Sequence, residues 1–353
     1  MRINLQAPIN QLGYGVAGLN ILKALQDKAE VSLFPIGQPQ VTNQADADAV
    51  TRGVETAKTF NPNAPCIKIW HQNQMAERIG SGKFIGFPIF ELDTFNDLEK
   101  HHLLACDELM VCSQWARRVV TGNNFGYYKA DGRPKLPPKT HVVPLGVDST
   151  IFKPAPLKPA GSTVFFNCGK WEVRKGHDIL AGAFKEHLKK HPDSQLWMMC
   201  SNPFNTQEDN NKWLNLYNHR NIRIIPRAET QQEVYNIMSQ VDCGVFPSRG
   251  EGWNLELLEM MAVGKPTIAT NYSAHTEFAN EKNCFLIPNH GVEPAFDNKW
   301  FFGQGNWAKI KQQDITNAMN EYVETSRCPI AYALETAKKF SWENTANEIL
   351  KYI

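Results

Sequence analysis

The sequence predicts an α/β protein made of two doubly wound domains, and three observations lead to this fold class. Short apolar runs alternate with helical patterns through both halves of the chain, which is typical of parallel sheets with crossover helices. The 353 residues are enough to bury two separate cores. A segment rich in Pro and Lys, residues 148–161, has the composition of a linker. We therefore predict a first domain of residues 1–155 and a second of residues 156–340.

The elements of the first half are apolar runs bounded by Gly, Pro or polar residues, the pattern expected of buried strands and the helices between them. The predicted strands are residues 2–7, 67–70, 84–90, 109–112 and 141–144, and the predicted helices are residues 18–25 and 114–120.

The second half repeats this alternation. A helix that begins near Asn254 stops before Gly264 and Pro266, which both end helices well. Residues 341–353 predict a terminal helix with Ser341 as its N-cap. The predicted strands are 163–168, 195–200, 222–225, 241–246 and 266–270, and the helices are 177–190, 230–240 and 254–263.

Composition excludes several classes of function. Lys and Arg number 37 against 36 Asp and Glu, so no global field recruits nucleic acid or membrane. No apolar run approaches the roughly 18 residues that span a bilayer. The first eight residues lack the apolar core and cleavage site of a signal peptide. We expect a cytoplasmic protein whose eight cysteines are reduced and hold neither disulfides nor zinc.

Two carboxylates lie close together in the motif of residues 246–266. Glu251 falls in a polar turn after a predicted strand, and Glu259 falls about a turn and a half into the next helix. Because open α/β sheets bind ligands at the carboxyl ends of their strands, both acids can face one crevice. An ionised carboxylate accepts hydrogen bonds from adjacent sugar hydroxyls, each worth about 1.5–3 kcal/mol.

This motif resembles the E-x7-E signature of retaining GT-B glycosyltransferases (glycosyl transferases group 1, family 4-like). The resemblance rests on the spacing of Glu251 and Glu259, on the Gly-Glu-Gly turn and on the Ala-x-Gly-x-Pro sequence that ends the helix. The resemblance implies two Rossmann-like domains that face each other across a cleft, with a last helix crossing back to the first domain. It also implies sugar transfer from a nucleotide-diphosphate sugar, with a UDP-sugar favoured, to an acceptor hydroxyl. Glu259 would bind the ribose. Glu251 would hold the sugar together with backbone N–H groups of Gly252, Trp253, Asn254 and Leu255.

A cationic segment follows the first strand of the second half. It resembles the family's Gly-Arg-(x)4–5-Lys-Gly segment, whose two cations hold the donor diphosphate. Lys175 matches the second cation, Lys170 stands where the family usually has Arg, and Arg174 is a candidate to compensate for that loss. Because negative charge builds on the leaving diphosphate, we expect Lys170, Lys175 and Glu251 to carry catalysis.

The resemblance implies no metal ion and no cofactor beyond the nucleotide sugar as co-substrate. The chain also lacks an obvious Asp-x-Asp metal site. Asp46 and Asp48 match that loose pattern only in a predicted surface loop.

The segment Gly13 to Gly18 is a literal G-x-G-x-x-G between a strand and a helix. It invites the alternative of an NAD-dependent oxidoreductase. Two observations count against that alternative. Five residues separate the strand end at Ala7 from Gly13, and no acidic residue lies at the end of a second strand, where a dinucleotide-binding fold has one. In GT-B enzymes such a loop approaches the donor phosphates or the acceptor. Gly13, Tyr14 and Gly15 are therefore candidate donor-binding residues.

Polar residues follow two predicted strands of the first half. Glu91 and Asp93 end the strand 84–90, and His71 ends the strand 67–70. Residues 90–148 look like the acceptor-domain pattern of the same family, so these three are candidate acceptor contacts. Ordinary loop carboxylates and a satisfied histidine are the structural alternative.

Residues 129–158 carry six Lys or Arg against two Asp, beside Tyr127 and Tyr128. Such a run is usually a solvated loop. Basic residues next to aromatic ones are also typical of sites that bind a phosphorylated acceptor, including nucleic acid. A phage-type glycosyltransferase acting on hydroxymethylated DNA bases therefore stays open. A non-catalytic nucleotide-sugar sensor is a separate alternative. Residues 253–256 depart from the family's usual Phe-Gly and Pro, which leaves the transferred sugar open.

Overall fold

The computed structural model describes residues 1–123, 125–126, 136–156, 161–325 and 329–353. These residues form two compact units. One unit is Met1–Gly146 with Phe340–Ile353, and the other is Val147–Lys339. The first boundary therefore precedes the predicted one after residue 155. The linker packs with the second unit, where the Ala155 N–H donates to the Val263 carbonyl at 2.9 Å.

The first unit is built on a parallel six-stranded sheet in the order β2-β1-β3-β4-β5-β6. Its strands are β1 Arg2–Ala7, β2 Glu30–Pro35, β3 Cys66–Trp70, β4 Phe84–Pro88, β5 Glu108–Val111 and β6 Lys139–Val142, and its helices are α1 Gly13–Gln26, α2 Gln44–Ala57, α3 Asp97–Leu104 and α4 Gln114–Gly122. From β1 the chain winds first to β2 and then to β3 on the other side. The reversal of winding therefore lies between β1 and β3.

Two predictions for the first unit are wrong. Helix α1 begins at Gly13 rather than at residue 18, so the glycine motif forms the first turns of the helix. A Cβ on Gly15 would lie 2.3 Å from the Asn10 Oδ1 atom, so glycine lets the helix pack against the preceding loop. Asp46 and Asp48 lie in helix α2, not in a loop, and Asp46 pairs with Lys23 at 2.7 Å.

The second unit has its own parallel six-stranded sheet, in the order β12-β11-β10-β7-β8-β9. The strands are β7 Val164–Gly169, β8 Gln195–Cys200, β9 Ile222–Ile224, β10 Cys243–Phe246, β11 Thr267–Thr270 and β12 Phe285–Ile287, followed by an antiparallel pair, β13 Val292–Phe296 and β14 Phe302–Ala308. The helices are α5 His177–His187, α6 Gln207–Leu216, α7 Gln231–Ser239, α8 Leu255–Ala262, α9 Gln312–Glu324 and α10 Ile330–Lys339. The winding reverses between β7 and β10.

The last helix, α11 Trp342–Leu350, belongs to the first unit, as predicted. Ser341 is its N-cap and accepts from the Asn344 N–H at 3.1 Å. The Thr345 hydroxyl donates to the Pro144 carbonyl at 2.8 Å, which fixes the helix to the segment after β6. This junction is tight, because a Cβ on Gly146 would lie 2.2 Å from the Trp342 backbone nitrogen.

None of the helices in the described ranges is both long and apolar enough to cross a membrane. The cysteines described are Cys66, Cys106, Cys112, Cys168, Cys200, Cys243 and Cys284, all of them buried free thiols. Residues 129–135 and 157–158 of the basic segment lie outside the described residues, and its described cations are Lys139 and Lys153.

We predict that Gly146→Ala lowers the free energy of unfolding by about 1–3 kcal/mol, because the added methyl group must push against the backbone at the start of α11. Urea denaturation of the purified protein measures this change. Gly122→Ala is the matched control, since nothing lies within 4 Å of a Cβ at that position. Equal loss of stability in both variants would contradict the steric explanation.

Candidate functional site

The candidate site of the second unit lies where the winding of its sheet reverses, between β7 and β10. The loop after β7 carries Lys170, Arg174 and Lys175, and the turn after β10 carries Glu251. Crevices at such reversal points are where open α/β sheets bind ligands. The topology therefore brings together groups predicted from the sequence, and Lys175 and Glu251 meet although they are 76 positions apart in the chain.

The Glu251 carboxylate is the centre of the cluster and is almost completely buried. It accepts hydrogen bonds from the Lys175 ammonium at 3.0 Å and the Ser248 hydroxyl at 2.8 Å. Its other oxygen lies 2.8 Å from the Arg174 guanidinium. The Glu251 backbone N–H donates to the Ser273 hydroxyl at 2.9 Å. These contacts leave the carboxylate little freedom to move.

Arg174 positions Glu251 rather than lying open to a ligand. Its guanidinium donates to Glu172 at 2.7 and 3.0 Å and to the Gly250 carbonyl at 2.7 Å, and only 4% of the residue is exposed. That Arg174 compensates for the lysine at position 170 stays a prediction, and protein groups occupy its guanidinium in this structure. Lys170, held 3.0 Å from Glu172 with a side chain 38% exposed, is the more accessible cation of this loop.

Mutual attraction keeps the buried pair of Lys175 and Glu251 ionised. Burial alone would lower the pKa of the Lys175 ammonium, but the carboxylates of Glu251 and Glu256 raise it above its ordinary value. Burial would likewise raise the pKa of the Glu251 carboxyl, but Arg174 and Lys175 hold it well below its usual range. The cluster therefore offers a fixed positive charge beside a fixed carboxylate.

Glu259 is the second acid of the motif and lies on α8 with 7% of its surface exposed. Burial raises the pKa of its carboxyl well above the usual range, and the charge of Glu256 adds to the rise. Within the described ranges, no protein group donates a hydrogen bond to this carboxyl. Such a group gains most from a ligand that brings hydroxyl donors.

In the turn between Glu251 and Glu259, the side chains of Trp253 and Asn254 contact other parts of the protein. Trp253 is 2% exposed and packs against the Phe278 ring at 4.9 Å. Asn254 has a φ of 83° and caps α8 by accepting from the Leu257 N–H at 3.1 Å. The side chains of Trp253 and Asn254 are thus engaged with the protein itself. That a ligand contacts backbone N–H groups of the turn Gly252 to Leu255 stays a prediction.

Asn254 is in turn held by His275. The Asn254 amide lies 2.8 Å from the His275 Nε2 atom, and His275 Nδ1 lies 3.0 Å from the Thr270 carbonyl. Burial lowers the pKa of His275, so the ring is neutral and donates through Nδ1. This chain of hydrogen bonds supports the left-handed backbone at Asn254, which a non-glycine residue adopts only when its surroundings fix it.

Polar side chains also meet at the carboxyl edge of the first unit's sheet. The Tyr14 ring lies 4.6 Å from the His71 ring, and its hydroxyl accepts from the Ile89 N–H at 3.1 Å. Burial raises the pKa of Tyr14 well above its ordinary value, and Glu91 adds to the rise. The structure thus brings Tyr14, His71 and Glu91 together.

The remaining predicted residues of the first unit lie beside this group. Asp93 lies further along the loop that follows β4, where its carbonyl accepts from the Asn123 amide at 3.1 Å. Gly13 is exposed at the start of α1, and Gly15 is buried against the preceding loop.

Several residues of the second unit's site did not emerge from the sequence. Glu172 lies within the cationic segment after β7, and Glu256 lies within the motif of residues 246–266. Both could have been found from the sequence as charged residues of those motifs. Ser248, Ser273 and His275 carry no local signal, because their roles depend on contacts across the fold. Of the residues described, no group of three or more His, Cys, Asp and Glu side chains is arranged to hold a metal ion.

Comparison with known proteins agrees with this geometry. Residues 162–299 match the model of the family described as glycosyl transferases group 1. Most of the second unit is thus similar to this glycosyltransferase family. A D-inositol 3-phosphate glycosyltransferase of Jonesia denitrificans is 25% identical over 234 residues, which cover 61% of this chain and 51% of that protein. One of Corynebacterium urealyticum is 26% identical over 200 residues, 55% of this chain and 43% of that protein. The chain spans about half the length of the curated relatives it matches.

Solved structures of glycosyltransferases confirm the predicted GT-B fold class over nearly the whole chain. Sucrose-phosphate synthase from Thermosynechococcus elongatus superposes with a TM-score of 0.70 at 15% identity, covering 99% of this chain and 98% of that one. The Anabaena protein Alr3699/HepE, solved with UDP and glucose, superposes with a TM-score of 0.67 at 18% identity and the same coverage. At these identities the likeness establishes the fold.

Glu259 predicts a pH dependence of stability. Its pKa in the folded state lies above the ordinary value of 4.5, so the folded state holds a proton that the unfolded chain has released. Stability is therefore lost as the pH rises from about 4.5 until the folded carboxyl ionises. Glu259→Gln removes this loss, so its unfolding temperature should gain on the wild type from pH 5 to pH 8. A constant difference across that range would show that Glu259 is not the titrating group.

Proposed function

We propose that this chain is a retaining glycosyltransferase that transfers a sugar from a nucleotide-diphosphate sugar to an acceptor hydroxyl without a metal ion. The observation that carries the proposal is the buried ion pair of Lys175 and Glu251 at the reversal point of the second sheet, together with the buried Glu259 carboxyl on helix α8, which begins after the same turn. The Glu259 carboxyl, to which no described residue donates a hydrogen bond, and the Lys175 ammonium, kept charged by neighbouring carboxylates, match the two halves of a nucleotide-diphosphate sugar. Hydroxyls would meet the carboxyl, and the diphosphate would meet the cation.

Each donor group has a candidate partner in this arrangement. Glu259 would accept hydrogen bonds from the ribose hydroxyls, and its buried carboxyl would gain hydrogen bonds that none of the described residues provides. Glu251 and the N–H groups of the turn after it would hold the transferred sugar. Lys170 and Lys175 would bind the diphosphate, whose negative charge also suits the start of helix α8.

Catalysis would come from charge stabilisation. The bond between the sugar's anomeric carbon and the diphosphate oxygen breaks, and negative charge builds on the leaving group. Lys175 is held in place by Glu251 before the reaction, so it stabilises that charge without having to reorganise. The acceptor oxygen forms its new bond on the face that the diphosphate leaves. Its proton passes to a departing phosphate oxygen, and the configuration at the anomeric carbon is retained.

The similar proteins favour a UDP donor. Alr3699/HepE has been solved in complex with UDP-glucose, and a trehalose-6-phosphate protein from E. coli has been solved with UDP-2-fluoro glucose. The acceptor side would be the first unit, where Tyr14, His71 and Glu91 meet at one edge of the sheet. We place the enzyme in the cytoplasm. No described observation favours DNA as the acceptor or a nicotinamide cofactor.

The proposal is tested by thermal shift with a panel of nucleoside-diphosphate sugars, followed by transfer assays with the donor that stabilises most. Lys175→Ala should cut turnover by about 10²–10³-fold and weaken donor affinity less, because the charge that it balances grows in the transition state. Glu259→Gln is the matched contrast, in which calorimetry should show a donor dissociation constant raised about tenfold, because the amide offers the ribose hydroxyls only one acceptor oxygen. Normal turnover with Lys175→Ala would refute the assigned role.

Transfer should be unaffected by EDTA, because lysine ammonium groups would do the electrostatic work that a divalent cation does elsewhere. Assays run with EDTA and with added Mg²⁺ or Mn²⁺ measure this directly. Abolition by the chelator and recovery with one cation would disprove the metal-free mechanism. It would leave the assignment as a glycosyltransferase in place.

A further inference from the structure

A cavity of about 660 Å³ opens in the first unit, away from its polar cluster at Tyr14. It lies between helix α4 and the edge strand β6 and is closed on one side by Tyr352, two residues beyond the last helix. The register pairs Glu108 with Lys139 and Val111 with Val142, so Lys139 marks the amino edge of the sheet. His71 and Glu91 follow strands at the opposite, carboxyl edge. The cavity is therefore separate from the candidate acceptor residues.

The charge of the cavity is positive. Arg117 from α4 and Lys139 from β6 both line it and are exposed, and the described lining contains no Asp or Glu. Within the described ranges neither cation is paired with a carboxylate. Two cations that converge on a recess without a balancing acid attract an anion, and an arginine fork matches the geometry of a phosphate group.

One wall of the cavity is flat and fixed. The Tyr352 ring stacks on the His141 ring with a centroid separation of 3.8 Å and an angle of 21° between the planes. His141 lies 2.6 Å from a Glu108 carboxylate oxygen, and Lys83 lies 3.1 Å from the other. Lys83 also donates to the Tyr352 carbonyl at 2.7 Å. The Glu108 charge is thus engaged with His141 and Lys83, and it does not neutralise the cations of the cavity.

From these features we propose that the cavity binds a nucleotide phosphate, with the phosphate between Arg117 and Lys139 and the base against the wall formed by Tyr352 and His141. Leu136, Pro137, Pro138 and Val142 complete an apolar lining beside that wall, which suits a planar base better than a solvated sugar. A free nucleotide and a nucleotide within a nucleic-acid strand share this chemistry.

The test is calorimetry on the full-length protein in excess UDP, which occupies the proposed donor site, with adenosine 5′-monophosphate and inorganic phosphate as separate probes. Arg117→Glu and Lys139→Glu should each weaken adenosine monophosphate binding about tenfold or more, because each removes a charge-assisted contact. Arg118→Glu is the matched control. It makes the same charge change one position along α4, at an exposed residue that does not line the cavity, and its affinity should stay within about twofold.

Tyr352→Ala distinguishes the contribution of the base to binding from that of the phosphate. It should weaken binding of adenosine monophosphate and leave that of inorganic phosphate unchanged, since only the base contacts the wall. Thermal unfolding of each variant shows whether the first unit is still folded. If Tyr352→Ala unfolds it, Tyr352→Leu, which keeps bulk without the ring, replaces it.

A short single-stranded DNA distinguishes the two sources of the phosphate. If the DNA binds and only Arg117→Glu and Lys139→Glu weaken it, the cavity takes a nucleotide of a strand. If DNA fails to bind while adenosine monophosphate does, the ligand is a free nucleotide. The proposal is overturned if the wild type binds neither nucleotide probe, or if Arg118→Glu weakens binding as much as Arg117→Glu. Donor binding at the second unit does not depend on any of these outcomes.

Discussion

The buried carboxylate of Glu251 is the constraint on which the candidate site depends. Burial of an ionised carboxylate costs several kcal/mol unless charges and hydrogen bonds compensate for the lost water. Here Lys175, Arg174 and Ser248 supply that compensation. Because those partners come from the loop after β7 and the turn after β10, the two segments cannot shift independently. The cations are thus oriented before any ligand arrives, which is the condition for electrostatic catalysis.

The same cluster explains the difference between neighbouring cations. Arg174 and Lys175 are adjacent in the chain, yet Arg174 is enclosed by Glu172, Gly250 and Glu251 while Lys170 keeps an exposed ammonium. Enclosing the arginine compensates for two buried acids at once. As a consequence, the Arg174 guanidinium is occupied by protein groups and is not open to a ligand. The exposed positive charge of this loop is therefore that of Lys170.

Most strands of the two sheets were predictable because buried parallel strands are continuous apolar runs, although β2 and β12 were missed. Strands β1 and β8 have the predicted limits, Arg2–Ala7 and Gln195–Cys200. Helices α2 and α6 were not predicted, since their sequences are largely polar and α6 buries no residue fully. The exposed strand β9 was placed one residue too long, and the hairpin of β13 and β14 was absent from the prediction. Weak burial leaves weak periodicity, so such elements are set by contacts that the sequence does not display.

The proximity of Lys175 and Glu251 followed from motifs in known positions on a doubly wound sheet. The roles of Asn254 and His275 did not, because the left-handed turn at Asn254 is set by a histidine from a distant segment. Sequence motifs identify which groups gather at a strand end. They do not reveal which side chains are turned inward to hold the backbone.

Helix α11 completes the first unit although the whole second unit precedes it in the chain. The ribosome therefore synthesises all of Val147–Lys339 before it makes helix α11, which packs against helix α1. Domains generally fold as they emerge, so the second sheet is able to form during translation while the first waits with part of its surface uncovered. Newly made chains would be most vulnerable to aggregation and to chaperone capture in their earliest-synthesised half.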